Sequence, residues 1–279
     1  MECNIRSVQM LMLEMLNEVD RICNKYKIKY FLTGGTLLGA VRNNGFIPWD
    51  DDLDIGMLYD DYKRFLKVAK KELKPNYFIQ NWDEEEHFAY PFSKLMLKDS
   101  VWLEEVCKNV NISHGLFIDI FCFYPFPNET SAQKKVYRKH VYYRQILLGK
   151  NGYNTLAYKK GIKRFLYWIT LLLGRFYNLS GLKAAYKRLI VFRNKKGCAL
   201  YYPFGAPYSY KKVIMKKDWI ENTVKVRFED SYYPAPRAYK KYLTYMYGDY
   251  MIPPPEEGRV NYHGLIRIDL SKYGIHVDH

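Results

Sequence analysis

The residues best suited to chemistry lie in Pro48-Trp49-Asp50-Asp51-Asp52-Leu53-Asp54-Ile55, where four carboxylates fall within five positions. Like charges this close raise one another's proton affinity unless a cation neutralises them. In extended chain successive side chains alternate between faces, so Asp50, Asp52 and Asp54 point one way and Asp51 and Leu53 the other. Asp52 and Asp54 can therefore share a divalent ion from one face. The donors are all oxygen, which suits hard cations such as Mg²⁺ or Mn²⁺ that keep waters and substrate phosphates as their other ligands. A solvated acidic turn would not carry Trp, Leu and Ile beside its charges.

Gly34-Gly35-Thr36 stands between a short apolar run and a helical pattern. Glycines there let backbone approach a phosphate, and the first turn of a helix offers it free N–H groups. Gly-Gly-Thr, a helix and then Asp-x-Asp on the next strand is the layout of the nucleotidyltransferase fold. A third acid, Asp119, is isolated in the apolar run His114-Gly-Leu-Phe-Ile-Asp-Ile-Phe, where it is costly unless paired or metal-bound. His114 suits either a phosphate or a turn cap. Arg42, just past the Gly-Gly helix, and Lys94, inside an alternating run, are candidates to neutralise phosphate. Trp49 and Asp50 adjoin the acidic pair and are expected to meet substrate. An aromatic cage for a quaternary ammonium could draw on Trp49, Trp82, Trp102 or Tyr90, but with 28 tyrosines in the chain, abundance of rings decides nothing.

These side chains need elements to position them. Residues 4–26 carry apolar positions at helical spacing, from Val8 to Cys23. Tyr30–Thr33 reads as a short strand, 53–57 as a strand between carboxylates, and 62–73 as a helix ended by Pro75. Residues 88–97 and 115–123 read as sheet strands. After Pro125-Phe-Pro127 the pattern becomes helical over 130–150, 156–178 and 182–196. A strand over 224–228 and a helix over 239–247, stopped by Gly248, follow. The expected fold is α+β, a nucleotidyltransferase-like mixed-sheet core over 1–127. A basic helical region over 128–279 follows, with its C-terminal return packing on the core.

Charge divides the chain in the same place. Residues 1–125 have a net charge of −4 and residues 126–279 of +19, and no acid occurs between Glu129 and Asp218 while 21 Lys and Arg do. A block of one sign this long calls for an anionic partner. Five scattered cysteines without a C-x-x-C pair argue for a reducing compartment and against zinc. The first residues lack the basic end and apolar run of a secretory signal, so no export is expected. No stretch is long enough to span a bilayer, but Phe165–Leu173, flanked by Lys163, Arg164 and Arg175, suits either an interfacial helix or a buried core helix. The expected location is cytoplasmic, peripheral on the cytosolic face of a membrane.

FLTGGTLLGAVRNNGFIPWDDDLDIGM at 31–57, HGLFIDIF at 114–121 and YLTYMYGDYMIPPP near the end resemble the LicD family, which includes bacterial phosphocholine transferases and is related to fukutin-type enzymes. The basic helices between 130 and 217 lie outside these motifs. The resemblance implies transfer of a phospho-alcohol from a CDP-alcohol donor to a sugar hydroxyl of a cell-surface glycan or its lipid-linked precursor, with release of CMP. It places metal on Asp52, Asp54 and Asp119 and substrate phosphate near Gly34, Gly35 and Thr36. The anionic partner is then a membrane surface or lipid-linked glycan, and nucleic acid is not expected. Two other classes share some of these features. A nucleotidyltransferase adding NMP to a small molecule or RNA would use the same acids, whereas a nucleic-acid-binding protein would leave the acids unexplained.

Overall fold

The computed structural model describes residues 4–154, 161–191, 197–206, 210–259 and 264–276. Helix α1 (Ile5–Tyr26) forms on the expected stripe and buries Val8, Met12, Met15, Leu16, Val19 and Ile22. The Asn4 side chain accepts the N–H groups of Arg6 and Ser7 at its start, and Lys27, in the left-handed region, ends it. Strand β1 (Phe31–Leu32) leads into α2 (Gly34–Asn43), so the Gly-Gly pair is itself the first turn of the helix. Then come β2 (Asp54–Leu58), α3 (Tyr59–Glu72), β3 (Tyr77–Gln80), β4 (Ser93–Leu97), β5 (Val101–Glu104) and β6 (Phe117–Phe126). The expected strand over 88–97 forms only in its second half. Pro91 has no N–H for a ladder, and Phe88, Tyr90 and Phe92 pack on one another instead.

The central sheet has the order β1-β2-β6-β4-β3. Among the described strands only β2 and β6 run parallel; the β1–β2, β4–β6 and β3–β4 pairs are antiparallel. This mixed sheet, with helices packed around it, is the expected α+β architecture. Its core includes Leu32, Leu37, Ile55, Met57, Phe65, Ile118 and Ile120.

Beyond β6 the chain forms α4 (Thr130–Lys150), α5 (Gly161–Gly174) and α6 (Leu179–Ile190). The first residues of the helix expected at 156–178, and the last of that expected at 182–196, lie outside the described residues. Next are β7 (Leu200–Pro203), α7 (Tyr210–Val213), β8 (Met215–Lys216) and α8 (Lys217–Ile220). The chain then runs through β9 (Thr223–Phe228), β10 (Ser231–Pro236), α9 (Tyr239–Tyr247) and β11 (Leu265–Asp269). Strand β7 pairs with the second half of β6, and β8 with β7, extending the central sheet to seven strands. The β9–β10 hairpin packs beside β1, and β11 pairs with β5. The C-terminal return thus lies against the sheet formed by the first half.

Many tyrosines are structural. His140 on α4 bonds the Tyr186 hydroxyl on α6, and Tyr202 and Phe204 pack around them. Burial, with Arg144 adding to it, lowers the His140 imidazole to about 3, so it is neutral in this core. Lys183, from the basic block, is buried and donates to the carbonyls of Trp82 and Glu86. Among the described residues no helix is long and apolar enough to cross a membrane.

Gly56, in the middle of β2, has no room for a side chain: a Cβ there would lie 2.5 Å from the Phe31 ring and 2.6 Å from that of Phe123. Both rings are buried, so Gly56→Val forces overpacking that costs about 1–3 kcal/mol. A urea denaturation curve should show the midpoint falling with the slope unchanged.

Candidate active site

The sheet register brings together two of the three expected catalytic acids. Asp54 opens β2 and stands directly beside Asp119 on β6, across the one parallel pair. Lys94 on β4 is the partner of Asp119 on its other side. Asp54, Asp119 and Lys94 therefore form one row across three adjacent strands. The Lys94 ammonium lies 3.9 Å from Asp119 Oδ1 and sits over the Phe117 ring.

The alternation expected through 50–54 also holds. Asp51 and Leu53 are buried, while Asp50, Asp52 and Asp54 are only partly covered. Burial holds the Asp54 carboxyl well above the usual carboxylate range. The charges of Asp52, Asp119 and Asp50 add to the effect in that order, and Lys94 opposes it. One carboxyl thus senses every other acid expected at the site.

Helix α2 shapes the other wall. Gly34 has φ +56°, and a Cβ on it would lie 2.7 Å from Asp54 Oδ2; one on Gly35 would lie 2.8 Å from Asp50 Oδ2. The glycines therefore admit the protein's own carboxylates to the start of the helix, whose partial positive charge favours anions. The Thr36 hydroxyl accepts the Asp54 N–H at 2.7 Å, which ties the helix to β2. Thr33, just before the helix, bonds the Tyr242 hydroxyl of α9, so the C-terminal motif braces the same turn.

Arg42 is half-buried and reaches the Tyr250 carbonyl at 3.5 Å. Burial and then Arg259 lower its proton affinity, and Asp50 raises it. Arg259 stands over the Trp49 ring, 5.4 Å from its centroid. Arg42, Arg259 and Trp49 therefore gather next to Asp50. His114 is elsewhere: its Nε2 donates to the Val110 carbonyl at 3.0 Å. It lines a cavity beside Lys94 whose walls include Tyr90, Trp102, Glu104, Phe117 and Tyr153. Trp82 packs on Tyr186 and lies among neither group.

Three positions matter here that no motif announces. Gln9 on α1 is buried and donates to the carbonyls of Ile47 and Asp50, at 3.1 and 2.9 Å. The Glu229 carboxylate accepts the Phe46 N–H at 2.9 Å and pairs with Arg6. Gly45 leaves space for it, since a Cβ there would meet Glu229 Oε1 at 2.3 Å. Two distant elements thus clamp the loop that delivers the acids. Gln9 carried a signal, as a polar residue on the buried stripe of an amphipathic helix. Glu229 and Arg259 carried none.

Asp52, Asp54 and Asp119 fit a hard divalent cation by donor chemistry, and such an ion would offset the burial, and after it the neighbouring negative charge, that raise the Asp54 carboxyl. Among the described residues no three carboxylate, imidazole or thiol groups already converge as a closed ligand set.

The site is thus a mixed sheet with acids paired across its parallel strands, walled by a Gly-Gly helix start. Residues 27–148 match the family model described as LicD/FKTN/FKRP, nucleotidyltransferase domain. The chain is 30% identical over 274 residues to the lipopolysaccharide cholinephosphotransferase LicD of Haemophilus influenzae, covering 93% of this chain and 96% of that protein. It is also 30% identical over 98 residues to the human ribitol 5-phosphate transferase FKRP, covering 28% of this chain and 20% of that protein. The chain belongs to the LicD family, and it is a transferase.

Two outcomes test this geometry. The raised Asp54 carboxyl favours the folded state only while protonated, a contribution complete below the ordinary value of 3.8 and lost as pH rises through the folded one. Asp54→Asn escapes that loss, so in chelator it should melt above the wild type at neutral pH, with the gap closing in acid. Gln9→Leu leaves two carbonyls unsatisfied, costing about 1–3 kcal/mol. Hydrogen exchange should then quicken over residues 44–52 while α3 stays protected.

Proposed function

We propose that this protein transfers a phospho-alcohol from a CDP-alcohol to a sugar hydroxyl of a cell-surface glycan or its lipid-linked precursor. The observation that carries the reading is the row Asp54–Asp119–Lys94, with Asp52 alongside. Similarity along nearly the whole chain to a lipopolysaccharide cholinephosphotransferase supports the reaction class. The local likeness to a ribitol 5-phosphate transferase supports a phospho-alcohol as the transferred group.

The acceptor oxygen attacks the phosphorus that bears the alcohol, a new P–O bond forms, and the bond to the CMP phosphate breaks. The acceptor proton passes to a carboxylate of the row, for which Asp119 is positioned. Lys94 sets positive charge beside the transferred phosphate, and Arg42 and Arg259 serve the leaving nucleotide phosphate near Asp50. A Mg²⁺ or Mn²⁺ ion held by Asp52, Asp54 and Asp119 would, when bound, neutralise charge developing on the phosphates. The start of α2 holds Asp50 and Asp54 in place through Gly34, Gly35 and Thr36.

The purified protein, given Mg²⁺, an acceptor glycan and a panel of CDP-choline, CDP-ethanolamine, CDP-ribitol and CDP-glycerol, should release CMP from one donor. Asp52→Ala and Asp54→Ala should each lower that rate by about a hundredfold or more. Incorporation of the nucleotide into product without free CMP would overturn the reading in favour of nucleotidyl transfer, and an active double variant would remove the acids from the mechanism.

A further inference from the structure

Helix α5 is apolar on two faces, and the described residues cover one of them. On the covered face Leu171 meets Gly149 of α4, and Ile146 of α4 closes on Gly174. The other face presents Ile162, Phe165, Trp168 and Leu172 to solvent, and Phe176 follows in the turn just past the helix, with Ile162 74%, Phe165 58% and Phe176 87% exposed. Their spacing of three or four residues draws one stripe along a helix of 14 residues, about 21 Å long. A stripe of large apolar side chains this continuous on a folded protein marks an interaction surface.

The surrounding charge selects the partner. Arg164 is exposed on the helix, Arg175 is exposed in the turn just after it, and the exposed Lys150 of α4 donates to the Gly174 carbonyl at its end; Lys134, Lys135, Arg138 and Lys139 are exposed in the first half of α4. In the acid-free interval, the described residues contribute two salt bridges, Lys187 with Asp83 and Lys217 with Glu221. Neither involves α4 or α5. A second copy of this chain docking on the same face would set these bases against their own kind. The surface that matches apolar side chains in the middle and anions around them is the headgroup layer of an anionic phospholipid bilayer.

We propose that α5 is a monotopic membrane-docking helix. It lies in the plane of the interface, with Phe165, Trp168 and Phe176 among the acyl chains and the bases of α4 and α5 on lipid phosphates. This docking does not depend on which alcohol or acceptor the catalytic site takes. It would hold the enzyme at the surface where amphiphilic substrates gather.

The test is co-sedimentation with vesicles of phosphatidylcholine, with and without phosphatidylglycerol. The wild type should bind the mixed vesicles, bind pure phosphatidylcholine at least about tenfold more weakly, and be partly released by salt. Phe165→Ser/Trp168→Ser/Phe176→Ser should lose binding to both at an unchanged melting temperature. Because that variant could fail to fold, brominated lipids supply a second reading: they should quench wild-type fluorescence and lose that component in Trp168→Phe. Equal binding by wild type and triple variant, or no quenching assignable to Trp168, overturns the proposal. So does a wild-type dimer in sedimentation velocity that the triple variant abolishes, which would make the stripe a contact between copies.

Discussion

The structure turns on a repulsion. Asp50, Asp52, Asp54 and Asp119 are brought close enough that burial and mutual charge hold the Asp54 carboxyl far from its ordinary ionisation. No arrangement of a sheet does this by chance. It needs the parallel register of β2 and β6, which sets Asp54 beside Asp119, and a partner strand that places Lys94 on the far side. The rest of the fold can be understood as holding that row against its tendency to spread.

Three restraints act on it. The Gly-Gly start of α2 accepts the carboxylates of Asp54 and Asp50 where any Cβ would collide with them, and the Thr36 hydroxyl bonds the Asp54 backbone. Gln9 grips the loop from below through two carbonyls. Glu229, far along the chain, grips it through the Phe46 N–H. The last of these explains why the chain returns to its beginning. The C-terminal hairpin and α9 are part of the support of the acidic loop, through Glu229 and through the Tyr242–Thr33 contact. The stability surrendered at Asp54 is recovered in these contacts and in the core beneath them, an allocation common where a fold maintains a reactive cluster.

The basic region divides into two populations with different roles. Lys183 is buried and satisfies carbonyls of the 82–86 loop, and His140 is neutral in an aromatic core; both are structural. Other bases of α4 and α5 are exposed, as is an apolar stripe on α5. Most tyrosines fall in the first population, which is why their abundance in the sequence carries no information about ligands.

Much of the site is legible in the order of residues. Asp52, Asp54, Asp119, Lys94 and the Gly-Gly-Thr turn stand out by charge crowding, by isolation in apolar runs and by spacing, and the sheet places Asp54, Asp119 and Lys94 in one row. These are local signals, written in residue type and period. The fold also shifts particulars: the strand expected from 88 begins only at Ser93, because Pro91 cannot join a ladder, and Trp82 belongs to a packing contact with α6. Gln9, Glu229, Arg259 and the lining of the Lys94 cavity acquire their places only through tertiary contacts. The sequence alone determined the two strands, the helix start and the acids they carry, because alternation and helical periodicity act over a few residues. Which acids become neighbours, and which distant side chains clamp their loop, was decided only by the register of β2, β6 and β4 and by the return of the last hairpin. Contacts between the two ends of the chain arise from packing all of it, and they leave no period along it.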